Sequence, residues 1–369
     1  MIVLDAFVAT WGRILTNRTL VSTMLLAVAL YTFYYPAPYA HGVAQRLPVI
    51  AVDEDDSALT RRVLRDLQAT RAVDIVATEA SRSAGAARLR RGDADGMILL
   101  SSGLDRTLRT GAEGGGVAVW LNGTYLLRAS TVGGAVQQVL SAQPTLIEDG
   151  MRPSLTRRGP PVSVTTEPLF NRSASYKGYV FPAVAVIIAQ QTLLFGTATM
   201  FAGLPRRKGR TRLPATFAGA WLALASLGCL ATLFLFGMAF WLQDVPRSAA
   251  SALLIVSVLP FSAAVAALGM LAGTFMDRPE RAVALLAPTS VPIFFLSGVA
   301  WPLDQMPAAV QLLSHLLPST VGVRLFVATN QMNAGLQDVY LQLVQMTSLC
   351  VLFGSLAYLG VFKRRLALA

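Results

Sequence analysis

Charge is scarce in this sequence. Only 14% of its 369 residues are charged and 54% are hydrophobic, against about 25% charged residues in a soluble domain. That balance excludes an ordinary soluble enzyme and implies an integral membrane protein with a soluble part. Histidine is rarer still, since His41 and His315 are the only two, too few to build a metal cluster. The two cysteines, Cys229 and Cys350, lie inside apolar runs and neither belongs to a CxxC pair, so packing is the favoured role over disulfide or metal chemistry. Lysine occurs three times, at Lys177, Lys208 and Lys363, and never after glycine. A P-loop needs G-x-x-x-x-G-K-[ST], so the chain has no such nucleotide site of its own. Any work it does draws energy from another chain. The apolar segments also lack acids, so no proton relay is evident, which argues against an ion-coupled pump.

What is present is long uncharged runs. Residues 19–40, 178–203, 214–241, 249–276, 282–300 and 339–362 predict six transmembrane helices, each near the ~20 residues a span requires. The first stands alone and five follow a charged insert. Alternating sides puts the N-terminus, the loop 204–213, the turn at 277–281 and the C-terminus together. Those four hold 12 basic residues, whereas the two short opposite loops hold only Arg247 and Arg324. By the positive-inside rule the basic side is cytoplasmic. The net charge of +11 is therefore mostly topology, and nucleic acid is not an expected partner.

Residues 1–18 read as an amphipathic interfacial helix with Leu4, Phe7, Val8, Trp11 and Leu15 on one face. Residues 41–177 change character and hold 17 of the 31 basic and 14 of the 20 acidic residues. Strand-like runs at 47–55, 72–80, 96–102, 116–124 and 160–170 alternate with helix-like runs at 57–70, 81–94 and 125–142. That alternation predicts a small α/β domain on the extracytoplasmic side. Its acid run Asp53, Glu54, Asp55, Asp56 follows a strand end, and reads as a solvated turn and helix cap in preference to a Ca²⁺ or substrate site.

One stretch before the last span is broken repeatedly. Residues 294–320 interrupt an apolar run at Trp301-Pro302, turn through Asp304, break at Pro307 and stop at Pro318. The ten residues from Ala308 to Leu317 rise about 15 Å as a helix, half of the ~30 Å hydrocarbon core. This predicts a re-entrant hairpin over 301–325 with Ser297-Gly298 as hinge, Pro302, Pro307 and Pro318 as stops, and Asp304 and His315 at the rim of an exit. Gln190 and Gln191, in the middle of the second span, predict interhelical hydrogen bonding or a polar path. The basic loop with Arg206, Arg207, Lys208 and Arg210 is a topological anchor that also suits docking of a cytoplasmic ATPase.

Three stretches resemble one family, the ABC-2-type transporter permeases, in the bacterial branch with a large periplasmic domain after the first span. They are 34–67 at the start of the insert, 169–196 with its glutamine pair, and the SG…P…MP…LP pattern within 294–320. The resemblance implies a half-transporter that pairs with a second permease, identical or homologous, and with ATPase subunits that bind the ATP; in many such systems a membrane-fusion adaptor completes the route. It further implies an ATPase contact through residues 1–18, including Trp11 and Arg13, and through 203–213. Many relatives carry an acid after the position of Gly203, and this chain does not. The second and fifth spans would line the dimer interface and the path near Gln190, Gln191, Phe195, Phe294, Phe295 and Ser297, with Trp301 in the gate beyond. No cofactor of its own and no enzymatic activity are expected. The fold expected is a multi-pass α-helical membrane protein with an inserted α/β domain, in a bacterial inner membrane. The competing readings are a membrane-anchored binding, receptor or scaffold protein, and a membrane enzyme built on Asp53–Asp56.

Overall fold

The computed structural model describes residues 1–39, 44–91, 93–110, 116–121, 126–141, 175–202, 213–247 and 251–366. In chain order, α1 is Ile2–Thr16, α2 is Arg18–Val21 and α3 is Ala27–Tyr34. Then come β1 Leu47–Asp53, α4 Ala58–Ala69, β2 Val73–Glu79, α5 Arg82–Arg91, β3 Gly96–Leu100, α6 Leu104–Thr110, β4 Val117–Leu121 and α7 Leu126–Ser141. The rest is helical: α8 Tyr176–Ala202, α9 Leu213–Leu233, α10 Phe240–Leu242, α11 Ser251–Thr274, α12 Pro279–Leu286, α13 Ser290–Leu296, α14 Ala308–His315, α15 Pro318–Asn330 and α16 Leu336–Leu366. The chain divides into two compact units, one of Met1–Ala40 with Pro168–Ala369, the other of His41–Glu167. The predicted strand at 160–170 lies outside the described residues.

Among the described residues, the His41–Glu167 unit holds a four-stranded sheet in the order β2-β1-β3-β4. β1 runs parallel to β2 and β3, and β4 is antiparallel to β3. β1 reads as an unbroken apolar run because both its faces are covered. Val49 packs with Val63, Leu67 and Val136 on one side, while Ile50 and Val52 pack with Met97 and Leu99 on the other. Ser57 starts α4 through a capping box: its Oγ accepts from the Thr60 amide at 3.1 Å, and its amide donates to Thr60 Oγ1 at 3.0 Å.

The acid run is a pair of caps. Asp53 Oδ1 accepts from the amides of Asp55 and Asp56, and Thr60 Oγ1 donates to Asp53 Oδ2 at 2.9 Å. Asp55 accepts from the amides of Gly103 at 2.6 Å and Asp105 at 3.2 Å, closing the first turn of α6, a helix that sequence patterning did not reveal. Burial alone would raise the Asp55 carboxyl, but hydrogen bonds from Ser57 and from the amides of Asp105, Gly103 and Leu104 outweigh it and hold it below the usual carboxylate range. A depressed folded pKa contributes stability above the ordinary aspartate range, and that contribution is lost as pH falls through the folded value. Asp55→Ala is expected to cost about 1 kcal/mol at this helix start. Amide exchange at Gly103 and Asp105 should therefore quicken about fivefold at neutral pH, and the gap to wild type should close in acid.

In the other unit α8 is the axis. Its most apolar window is 94% buried, whereas the window in α16 is only 22% buried. α9, α11, α12 and α15 pack around α8. The approach of α11 depends on small residues. A Cβ on Gly269 would lie 2.7 Å from Thr197 Cβ, and one on Gly273 would lie 2.6 Å from Phe201 Cβ. The segments 22–26 and 234–239 are single π-helical turns within the first and third spans, and both touch α8.

Among the described residues, five helices are long and apolar enough to cross a membrane: 18–39, 176–202, 214–242, 252–274 and 336–362. The expected span at 282–300 is not one straight helix. It is α12, a 3-10 turn over Ala287–Thr289, and α13, which ends at Leu296. Pro288 and Pro292 supply no amide donor, which accounts for the broken ladder. Among the described residues, a sixth crossing arises if α14 and α15, bent by 74° to each other, count as one. The bent pair also extends beyond residue 325, because Pro318 occupies the first turn of α15 and that helix continues to Asn330. Proline fits there, as the first-turn amide has no intrahelical partner anyway.

Candidate functional site

The centre of α8 is polar inside an apolar bundle. Gln190 and Gln191 are 0% and 6% exposed. Gln191 Nε2 donates to Ser290 Oγ at 2.8 Å, tying α8 to the start of α13. Neither amide atom of Gln190 has a hydrogen-bond partner. Phe195, a turn further on, is half-buried against the core. The polar centre of the second span is buried among the chain's own helices, and Val283, Leu285, Val291 and Phe295 are among the exposed apolar side chains of this region.

A tight turn follows α13. Phe294 and Phe295 meet edge to face with centroids 5.8 Å apart. Phe294 faces the core and Phe295 is exposed. A helix end leaves carbonyls without partners, and hydroxyls from three elements supply donors here. Ser297 Oγ donates to the Phe294 carbonyl at 2.6 Å, Thr320 Oγ1 of α15 to Leu296 at 3.0 Å, and the Tyr179 hydroxyl of α8 to Val299 at 2.8 Å. Gly298 turns the chain with φ of 84°, a left-handed conformation suited to glycine. Buried Leu303 lies where its Cβ would be, at 3.0 Å. Trp301, Pro302 and Asp304 are exposed on the far side of the turn. Pro302 precedes the 3-10 turn Leu303–Gln305, and Pro307 precedes α14. The His315 carbonyl accepts from Gln345 Nε2 at 3.0 Å, which fixes the end of α14 against α16. Asp304 is exposed and His315 half-buried.

At the other predicted contact, α1 packs on α9. Trp11 Nε1 donates to Ser226 Oγ at 3.1 Å. A Cβ on Gly219 would collide with the Val3 carbonyl and Ala6 Cβ. Thr10 and Ile14 are buried, while Leu4, Val8 and Leu15 of the predicted apolar face stay exposed. Arg13 is exposed beside them. Asn17 separates α1 from the span, its Oδ1 accepting from the amides of Thr19 and Leu20. Trp11 is thus engaged inside the chain, and Arg13 is the residue of this pair left for an external contact. Arg206, Arg207, Lys208 and Arg210, expected at the ATPase contact, lie outside the described residues.

Sequence reading missed Tyr179, Ser290, Ser319 and Thr320, which no motif marks. It also missed Gly269 and Gly273, although a G-x-x-x-G spacing inside an apolar run is a recognisable helix-packing signal.

No curated protein and no solved structure gives a significant match to the chain. The sequence profile described as "ABC-2 family transporter protein" matches residues 18–359. That match takes in the whole insert and all candidate spans but the last three residues of the final one, and the chain belongs to the ABC-2 transporter family, as a membrane-spanning permease component.

Proposed function

We propose that this chain is the permease half of an ATP-driven exporter in a bacterial inner membrane. Its N- and C-termini are cytoplasmic and residues 41–177 periplasmic. A separate ABC ATPase binds and hydrolyses the ATP, and a second permease, a copy or a homologue, completes the membrane part. A periplasmic membrane-fusion adaptor extends the route outward. The cargo is an amphipathic molecule, drug-like or lipid, that reaches the path from the surrounding membrane.

The observation that carries this reading is the broken helix run 279–330 packed against α8. Its Gly298 turn is held by side-chain donors from α8 and α15, and its α14–α15 bend is 74°. Irregular backbone at membrane depth is tolerated where protein or a water-filled cavity covers it, and a transport path provides such a cavity. In this reading Gln190, Gln191, Phe195, Phe294, Phe295 and Ser297 line the path. Gly298, Trp301, Pro302, Asp304, Pro307, His315 and Pro318 form the outer gate. Arg13 with Arg206, Arg207, Lys208 and Arg210 docks the ATPase, and Trp11 holds α1 in place for that contact.

The test is co-purification from the native membrane. The permease alone should hydrolyse no ATP, and it should bring down an ABC ATPase. Charge reversal at Arg206, Arg207 and Arg210 should release that ATPase. Retention of both the complex and transport in the reversed variant would remove the docking assignment.

A further inference from the structure

α15 begins inside the bundle. Pro318, Ser319 and Thr320, its first turn, are all buried, and no side chain caps it. The Ser319 hydroxyl is 0% exposed and without a hydrogen-bond partner, as are both amide atoms of Gln190. Buried polar groups are ordinarily satisfied, so two unsatisfied side chains at one level call for an explanation.

They do lie at one level. A Cβ on Gly322 would be 2.9 Å from Val186 Cγ1 of α8. One turn towards the end of α15, Phe326 stacks on Phe236, which leads through Phe240 to Phe181. Rising numbers on α15 therefore match falling numbers on α8. One turn in the other direction pairs the level of Ser319 with that of Gln190. Gln191 Oε1, beside it, also lacks a partner.

We propose that Gln190 and Ser319, at the start of α15, receive an uncharged hydrogen-bonding group of the transported molecule, a carboxamide or a hydroxyl. This rests on the permease reading and narrows its substrate class. Gln190 offers donors and an acceptor, and Ser319 offers both from one oxygen. A helix N-terminus adds a partial positive charge that favours an acceptor oxygen. No charged residue lies on α8 beyond Lys177 or on α13, and Arg324 of α15 is exposed. A full charge carried to this point would meet no counter-ion, which is costly at membrane depth. The described conformation holds the contact closed. It opens when α15 moves away from Val186.

This assignment predicts opposite signs for stability and binding. Replacing an unsatisfied buried polar group with an apolar one removes its desolvation penalty. Gln190→Leu and Ser319→Ala should each raise the melting temperature, by about 2–5 °C. The same variants should weaken binding of dodecanamide to the permease in nanodiscs about tenfold. Dodecanoate and dodecyltrimethylammonium, equal in chain length but charged, should bind weakly to wild type and be insensitive to either change. Unchanged dodecanamide binding in both variants, a lowered melting temperature in both, or equal binding of the charged probes would overturn the proposal. Binding is read on the permease, and stimulation of ATP hydrolysis on the permease–ATPase complex. Variant-sensitive binding with no stimulation by dodecanamide would keep the site and sink the exporter reading.

Discussion

Gly298→Leu is expected to reduce coupled ATP hydrolysis and export by the assembled transporter at least tenfold, with membrane insertion and yield preserved. Two effects combine at this residue. Its φ of 84° costs a leucine about 1–3 kcal/mol. Its Cβ would start 3.0 Å from Leu303 Cγ, and Leu303 is 6% exposed, so the larger side chain must displace a core residue. The strain is local, because the turn is fixed at Leu296 and Val299 by hydroxyls from α15 and α8 while α8 and α11 pack elsewhere. The substitution thus moves the turn and leaves the bundle intact. A graded series separates the two effects. Gly298→Asn should be mildest, since asparagine tolerates the left-handed region. Gly298→Ala adds backbone strain with little bulk and should fall between. Normal turnover in the leucine variant would take the turn out of the transport cycle.

Five of the six expected spans were legible as long apolar helices because crossing a bilayer demands only length and lack of charge, both local properties. The cap of α4 was legible for a similar reason, since Ser57 acts on an amide three residues away. The inside of the membrane unit was not. In water, apolar residues mark the buried face; in lipid they face outward as readily, and small or polar residues face the protein. The apolar face assigned to α1 shows this. Leu4, Val8 and Leu15 stay exposed, while Thr10 and Ile14 are buried and Trp11 is held by one hydrogen bond. Proline misled in the same way at the hairpin. Pro318 lies beyond the end of α14 and opens α15, a helix that packs Gly322 against Val186 and Phe261. In the candidate site, Gln190 and Gln191 stood out because amides are rare at mid-span. The partner of Gln191, Ser290, lies 99 positions further along the chain, which no local pattern reaches.

The second large effect is expected at the α8–α11 seam, where association in lipid relies on close packing because no hydrophobic driving force separates helix from solvent. Gly269→Leu and Gly273→Leu should each destabilise the permease by about 3 kcal/mol or more, the upper range for overpacking. The reason is what each new side chain meets. At Gly269 the Cβ would be 2.7 Å from Thr197 Cβ and 3.2 Å from the Leu194 carbonyl; at Gly273 it would be 2.6 Å from Phe201 Cβ and 2.8 Å from the Ala198 carbonyl. Backbone oxygens on α8 cannot rotate away, so α11 must shift along its seam with the most enclosed helix of the bundle. The nearer carbonyl makes Gly273→Leu the worse of the two. Gly354 on α16 is the control: nothing lies within 4 Å of a Cβ there, and Gly354→Leu should instead gain up to about 1 kcal/mol of helix propensity. Thermal unfolding and the yield of monodisperse protein would rank the three. If Gly273→Leu melted with Gly354→Leu, α11 would not pack against α8 as described, and the enclosure of Gln190 would lose its basis.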